Sequence, residues 1–520
     1  MSAPSSPAPR AYDSGKNLTF RQLLQETSVF VTVAELVTSR GLITQPSGRR
    51  ILNLARALSE HPRFHALSIT DNPGGHAMLS ADTLGTDLIS RGQEVIIHLS
   101  CKDWNRNALE SRGWKLASEG FQNVLALSGD FPAGGYHGQA APVFDIDSVG
   151  LLKMFSEMQG ANFFLGAVVN NHKRYERELM PQYFKLAKKI ECGASFIIDQ
   201  IGYDARKNDE LLRYMAMQGL NVPVLANVYV LNAEAARFFH AGRIPGCVVT
   251  DELLALAEKQ QSSADHGREF FLEFAAKQCA IAQGLGFRGV YLGGRLRLED
   301  YERILQIWDS FAPESWKDFA REMCFAQPGE FYYFEPDPAS RLNLSEVSRE
   351  YLRSKISLRR APLSYRLNRA IHEKVFERGS FGFRAGKSLY ESIDGKSGIK
   401  KPLHKIEQAF KILGFDCRDC GDCSLPDIAF LCPESQCVKN QRNGPCGGTR
   451  QGLCEIGEKE CIWARAYERL KSVGEEANML DRPVVFRNGA LAGTSAWANT
   501  FLDRDHHATK KRRESETSGF

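Results

Sequence analysis

The chain has 520 residues, 43% of them hydrophobic and 25% charged, a globular balance that excludes a disordered or fibrous protein. Its 66 basic and 62 acidic residues leave a net charge of +4, too small to point to nucleic acid as a partner. No apolar run approaches the roughly 20 residues of a membrane span, and the N-terminus lacks the apolar core of a secretory signal. A cytoplasmic protein without membrane insertion is therefore expected.

Residues 1–18 are rich in Pro, Ser and Ala and read as a flexible lead-in. From 19 to 312 short apolar, β-branched runs alternate with amphipathic segments. The runs cover 29–34, 67–70, 95–99, 124–127, 163–169, 196–198, 222–228 and 289–292. Near-continuous apolar runs suit parallel strands buried on both faces. Helical periodicity falls at 49–59, 107–118, 148–159, 179–191, 265–283 and 298–311. Eight strand-then-helix units predict an α/β fold, a (β/α)8 TIM barrel. No G-x-G-x-x-G follows the first run, which disfavours a Rossmann sheet. Residues 313–400 read as a helical connector, 401–480 as a small cysteine-rich metal-binding domain, and 481–520 as a solvated tail with a basic run at 510–513.

A barrel of this kind does its chemistry at the C-terminal ends of its strands. The polar residues there are Glu35, Thr70 with Asp71, His98 with Ser100, Ser128-Gly129-Asp130, Asn170-Asn171, Asp199-Gln200 with Tyr203, Asn227 and Gly293-Gly294. Glu35 follows a strongly apolar run, where desolvation raises a carboxyl pKa and makes it a proton donor near neutrality. Asp130 follows a Ser-Gly pair that lets a flat ligand approach the backbone. The rim holds no nucleophile triad and no His/carboxylate metal cluster, so proton transfer with an organic cofactor is the expected chemistry.

The segments VTVAEL, LSIT, IIHLSCKD, NVLALSGDFP, GASFIIDQIGYD and PVLANVYVL resemble, in order and spacing, the flavin-dependent methylenetetrahydrofolate reductases over about residues 20–310. The cysteine-rich part resembles the domain fused to or partnered with a bacterial branch of that family. The resemblance implies a flavin, FAD in preference to FMN, and tetrahydrofolate as substrate, with 5,10-methylene- and 5-methyltetrahydrofolate interconverted in one-carbon metabolism. It implies that Glu35 protonates the folate as the methylene bridge opens to an iminium. It places Asp130 beside flavin and pterin, gives Gln200 a folate contact, and puts Thr70, His98, Ser128, Gly129, Ala167 and Lys189 at the flavin. The family often carries Arg-Gly-Asp where this chain has Ser128-Gly129-Asp130, so a guanidinium is missing. NAD(P)H, or ferredoxin or another electron carrier, is the implied electron partner, and a homo-oligomer is compatible.

Eight of the 13 cysteines fall within 45 residues: Cys417, Cys420, Cys423, Cys432, Cys437, Cys446, Cys454 and Cys461. Eight thiolates satisfy two four-ligand sites. The C-x2-C-x2-C triplet places three sulfurs on one loop, as iron–sulfur clusters need. Structural zinc uses the same ligands but usually as two C-x2-C pairs. Iron–sulfur clusters, zinc, and disulfides or free thiols all stay open, the first preferred. Two other functions fit the same features: a pterin-binding barrel methyltransferase with a thiol or corrinoid acceptor, and a non-catalytic metal-stapled scaffold.

Overall fold

The computed structural model describes residues 18–356 and 361–508; residues 1–17 of the lead-in and the basic run 510–513 lie outside them. Thr19 caps helix Phe20–Glu26 through a capping box with Gln22. That helix closes the barrel floor. Phe20 packs edge-on against Phe164 and Phe196, with centroids 6.0 and 5.3 Å away.

Eight strands form the barrel: β1 (Val31–Leu36), β2 (Ala66–Ile69), β3 (Val95–Ser100), β4 (Asn123–Leu127), β5 (Phe164–Val169), β6 (Phe196–Asp199), β7 (Val224–Tyr229) and β8 (Gly289–Gly293). Each pairs in parallel with its neighbours in sequence, and β8 closes on β1 with Val31 opposite Gly289. The expected TIM barrel is thus present, with strand ends displaced by two residues at most. Alternation divides the core. Val31, Val33, Ala66, Ile96, Leu125 and Leu225 fill the lumen. Ala34, Leu36, Leu67, Ile97 and Leu99 face the helices. This two-sided burial is why the strands lack polar–apolar alternation.

Between β7 and β8 the structure has three helices, Ala233–His240, Asp251–Gln261 and Arg268–Leu285, where periodicity pointed to one. The connector also departs from an all-helical reading. It holds an antiparallel hairpin of β9 (Phe334–Pro336) and β10 (Asn343–Val347). The hairpin is tied to helix Ala205–Met217: Arg206 Nη2 donates to the Phe334 carbonyl and Arg206 Nε to Asn343 Oδ1, both at 2.9 Å.

Two boundaries need correction. Residue 400 is no domain edge, because helix Ser397–Phe415 runs through it. Residues 481–508 are not a solvated tail. Helix Ala496–Phe501 buries Phe501 against Phe376, Phe383 and Tyr390. Asn499 Nδ2 donates to the Gly421 carbonyl at 2.9 Å, so this segment completes the cysteine-rich unit. Among the described residues no helix is long and apolar enough to cross a membrane.

Candidate functional site

Glu35 lies near the end of β1 with its carboxyl enclosed by the barrel mouth. Burial pushes it up to about 7, although the hydrogen bond from Tyr291 pulls the other way. Tyr291 Oη donates to Glu35 Oε1 at 3.2 Å and lies 3.2 Å from His98 Nε2; Ser68 Oγ is 2.9 Å from the same nitrogen. Burial holds the His98 imidazole down to about 3, so it is neutral. On the other side, Glu35 Oε2 occupies the place a side chain at position 293 would take: a Cβ on Gly293 would sit 2.5 Å from it. One carboxyl oxygen is therefore engaged by a phenol, and glycine makes room for the other.

Cys247 locates the other candidates relative to Glu35. Burial first, then the charges of Asp130 and Glu35, raise its thiol to about 12. Its Sγ is 3.8 Å from Gln200 Oε1. Gln200 thus lies against Cys247, and the charges of Asp130 and Glu35 both reach that thiol. Asp130 follows Gly129, whose φ of +84° suits glycine, and its Oδ2 accepts from Gly74 N at 2.8 Å. Thr70 is bound through its backbone N–H to the Leu36 carbonyl at 3.0 Å, next to Glu35. Asp199, buried at the end of β6, is pushed up to about 8 by burial and accepts from Asn227 N at 2.6 Å.

Ala167 and Lys189 lie apart from this group. Ala167 packs in the layer between strands and helices. Lys189 is buried behind β5, where its Nζ donates to the Val168 carbonyl at 2.5 Å; burial, then Lys185, lower it to about 7. Sequence reasoning missed Tyr291 and Lys102. Tyr291 is the one hydroxyl-bearing side chain in the apolar run of β8. Lys102 follows β3, is 1% exposed, and its Nζ has no hydrogen-bond partner among the described residues. Thr38 Oγ1 and Ser39 Oγ, buried just after β1, are unpartnered too. Lys102 packs beside Gly129, where a Cβ would sit 2.8 Å from its Cγ, so its unpartnered ammonium suits an anionic group at that strand end.

The cysteine-rich unit reaches into the same mouth. Lys439 Nζ donates to the Gly129 carbonyl at 2.8 Å and forms a buried ion pair with Glu455. Ser128 Oγ donates to Gln441 Oε1 at 3.1 Å. Asn443 N donates to Asp147 Oδ2 at 2.8 Å, and Lys173 Nζ donates to the carbonyls of Gly447 and Thr449, each at 2.6 Å. Ser128, where the guanidinium is missing, is occupied by this unit, and Lys439 brings a cation beside it.

The eight cysteines carry no disulfide and separate into two quartets. Cys417, Cys420, Cys423 and Cys432 line one small cavity together with Lys411 and Arg442. Cys437, Cys446, Cys454 and Cys461 act on one another electrostatically, with Lys439 and Lys173 beside them. Buried cations next to each quartet suit a metal–thiolate group, which carries net negative charge.

The family profile described as methylenetetrahydrofolate reductase matches residues 20–301, more than half of the chain. A second profile, methylene-tetrahydrofolate reductase C terminal, matches residues 397–488. The chain is 27% identical over 182 residues to "Methylenetetrahydrofolate reductase 2" of Saccharomyces cerevisiae, covering 34% of this chain and 30% of that protein. It is 24% identical over 263 residues to "Methylenetetrahydrofolate reductase (NADH) 1" of Arabidopsis thaliana, covering 46% and 41% respectively. The matched part therefore spans less than half the length of these curated relatives. A solved Clostridium thermocellum protein described as binding two copies of 5-methyl-5,6,7,8-tetrahydrofolic acid aligns at a TM-score of 0.40 and 11% identity, over 54% of this chain and 94% of that one.

Proposed function

The chain belongs to the methylenetetrahydrofolate reductase family, and from that premise we propose that it is a flavin-dependent oxidoreductase interconverting 5,10-methylene- and 5-methyltetrahydrofolate. The observation that carries this reading is the half-buried carboxyl of Glu35, poised at about 7 in the barrel mouth and hydrogen-bonded to Tyr291. Bound flavin supplies hydride chemistry at such a site.

The chain's own residues supply the rest. Glu35, neutral below about pH 7, gives the proton that opens the methylene bridge and takes one back in the reverse direction. Tyr291 occupies Oε1, so Oε2 beside Gly293 is the oxygen that carries the proton. Asp130 places a negative charge where the opened folate is cationic and favours that ion over the neutral ground state. Gln200 offers an amide to the pterin. Lys102, Thr38 and Ser39 hold the flavin's polar and anionic edges, and Gly129 gives it backbone clearance.

The cysteine quartets bind metal in this reading, iron–sulfur clusters in preference to zinc, because the C-x2-C-x2-C triplet of Cys417, Cys420 and Cys423 places three sulfurs on one loop. The later quartet's place beside the segment that meets the barrel mouth suits passage of single electrons to and from an external carrier such as ferredoxin. The test is single-turnover mixing of the purified full chain, with flavin quantified by absorbance. Folate-dependent bleaching or re-oxidation of about one flavin per chain is expected. Protein that retains neither FAD nor FMN after reconstitution overturns the reading.

A further inference from the structure

Outside the barrel mouth and both quartets, a third cluster of ligand atoms sits where the C-terminal segment meets the cysteine-rich unit. His506 and His507 are consecutive, a few residues after helix Ala496–Phe501. Asp427 lies in the turn Pro426–Ile428, between Cys423 and Cys432 of the first quartet. His506 Nε2 is 2.8 Å from Asp427 Oδ2, and His507 Nε2 is 2.9 Å from Asp427 Oδ1. The three ligand atoms all lie within 4.8 Å of one another.

The far nitrogens are held as well. His506 Nδ1 is 2.5 Å from Asp422 Oδ1, and His507 Nδ1 is 3.6 Å from Asp505 Oδ2. Asp422 is fixed in turn by the backbone N–H of Asn488 at 2.7 Å, and Asp505 by Thr500 Oγ1 at 2.6 Å. Arg482 Nη1 approaches Asp427 Oδ1 at 3.1 Å. The side chains of Asp427 and His506 are 6% and 5% exposed, and that of His507 27%.

This is the arrangement metal-binding histidines adopt. Their second ring nitrogen donates to a carboxylate, which fixes the tautomer and aims the other nitrogen's lone pair at the ion. Here His506 is fixed in that way, His507 Nδ1 faces Asp505 at 3.6 Å, and both rings bring Nε2 to the two oxygens of a single carboxylate. Two imidazole nitrogens and one carboxylate suit zinc and other divalent first-row ions. We propose that Asp427, His506 and His507 form a divalent transition-metal site, best matched to zinc and separate from both cysteine quartets. The bound ion joins residues 499–508 to the Cys423–Cys432 loop and so stiffens one wall of the first quartet.

The test uses the full chain with its cysteine centres loaded. Metal per chain is counted by plasma mass spectrometry in the unsubstituted protein, in H507Q and in D427N, after matched dialysis against zinc. His507 is the most exposed ligand, so H507Q is the variant least disturbing to the fold. The unsubstituted protein should hold one equivalent of zinc more than either variant, with cysteine-linked absorption equal in all three. Cobalt exchanged into that extra site should give a spectrum without thiolate charge transfer, and H507Q should weaken its binding at least tenfold. Equal metal in all three proteins overturns the proposal. So does a cobalt spectrum dominated by thiolate charge transfer, because the extra ion would then sit on cysteine.

Discussion

Tyr291 Oη lies 3.2 Å from both Glu35 Oε1 and His98 Nε2, so a single phenol joins a carboxyl on β1 to an imidazole on β3. Ser68 extends the row through His98. Tyrosine has one proton to donate. With Glu35 ionised the phenol donates to it; with Glu35 protonated the phenol is free to turn towards His98. The row can reverse as Glu35 gains and loses its proton, without a charge on His98, which burial keeps neutral.

The first prediction concerns rate. Proton donation needs the neutral carboxyl, so the methylene-reducing half-reaction should slow as pH rises through about 7. Glu35→Gln should keep flavin and lose roughly 10²-fold or more in rate, the scale of an absent general acid. Its residual rate should show no break near pH 7. Stopped-flow rates from pH 6 to 9 decide this, and an unchanged break in the variant removes Glu35 as the acid.

The second concerns stability. A carboxyl raised from 4.5 to about 7 binds more protons in the folded chain than in the unfolded one between those values. Stability is therefore lost as pH rises through that window, by at most about 3 kcal/mol for this group. Glu35→Gln removes the loss. The melting temperature of the variant relative to the parent should climb between pH 5 and pH 8. A difference that stays flat with pH contradicts the burial of this group.

The third isolates the phenol. Tyr291's hydrogen bond lowers the Glu35 pKa, so Tyr291→Phe should move the break in the pH–rate profile upward. One neutral hydrogen bond contributes about 1 kcal/mol, so turnover below the break should fall roughly tenfold or less. A break that moves downward would reverse the assigned direction of that bond.

The sequence displays the barrel because its strands are buried on both faces, and an unbroken apolar run such as FFLGAVV reads the same in one dimension as in three. Glu35 is legible for the same reason: a carboxylate ending an apolar strand has few places to go. Tyr291 is not, because its role depends on β8 closing beside β1, a pairing of residues more than 250 positions apart. Lys439 was hidden similarly, its partner Gly129 lying 310 residues away. The segment DRDHHATKK looks solvated because five of its nine residues are Asp, Arg or Lys, types that are usually exposed unless paired. Asp422 and Asp427, which pair with its histidines, lie about 80 residues earlier in the chain.

The fourth prediction tests the joint between the two halves. Lys439 is buried between Glu455 and the Gly129 carbonyl, so Lys439→Met leaves a carboxylate without its cation in a dry place. Breaking such a pair from one side costs on the order of 3–5 kcal/mol. The cysteine-rich unit should loosen from the barrel, and limited proteolysis should cut between residues 416 and 488 faster than in the parent. Lys439→Arg should restore protection in part. Parent-like cleavage in the Met variant would show that the other contacts at this joint suffice.

The last prediction separates the quartets. Cys417, Cys420, Cys423 and Cys432 line a cavity with Lys411 and Arg442, and the later four gather beside Lys439 and Lys173. If each quartet holds its own centre, damage to one should leave the other loaded. Cys420→Ser with Cys423→Ser should remove about half of the cysteine-bound metal, and Cys446→Ser with Cys454→Ser the other half. The two losses should differ in consequence. The later quartet adjoins the loop that crosses the barrel mouth, where Asn170 Nδ2 donates to the Gly447 carbonyl at 3.0 Å. Its loss should slow both carrier-linked turnover and the flavin–folate half-reaction. Loss of the first quartet, whose cavity is lined by Lys411 and Arg442 and not by barrel residues, should slow carrier-linked turnover alone. Metal counts, the visible spectrum and both rates on the two double variants give the answer. If either double variant loses all cysteine-bound metal, the eight sulfurs form one centre and the division into quartets fails. If both keep parent-like carrier-linked rates while melting at lower temperature, the centres brace the fold and carry no electrons.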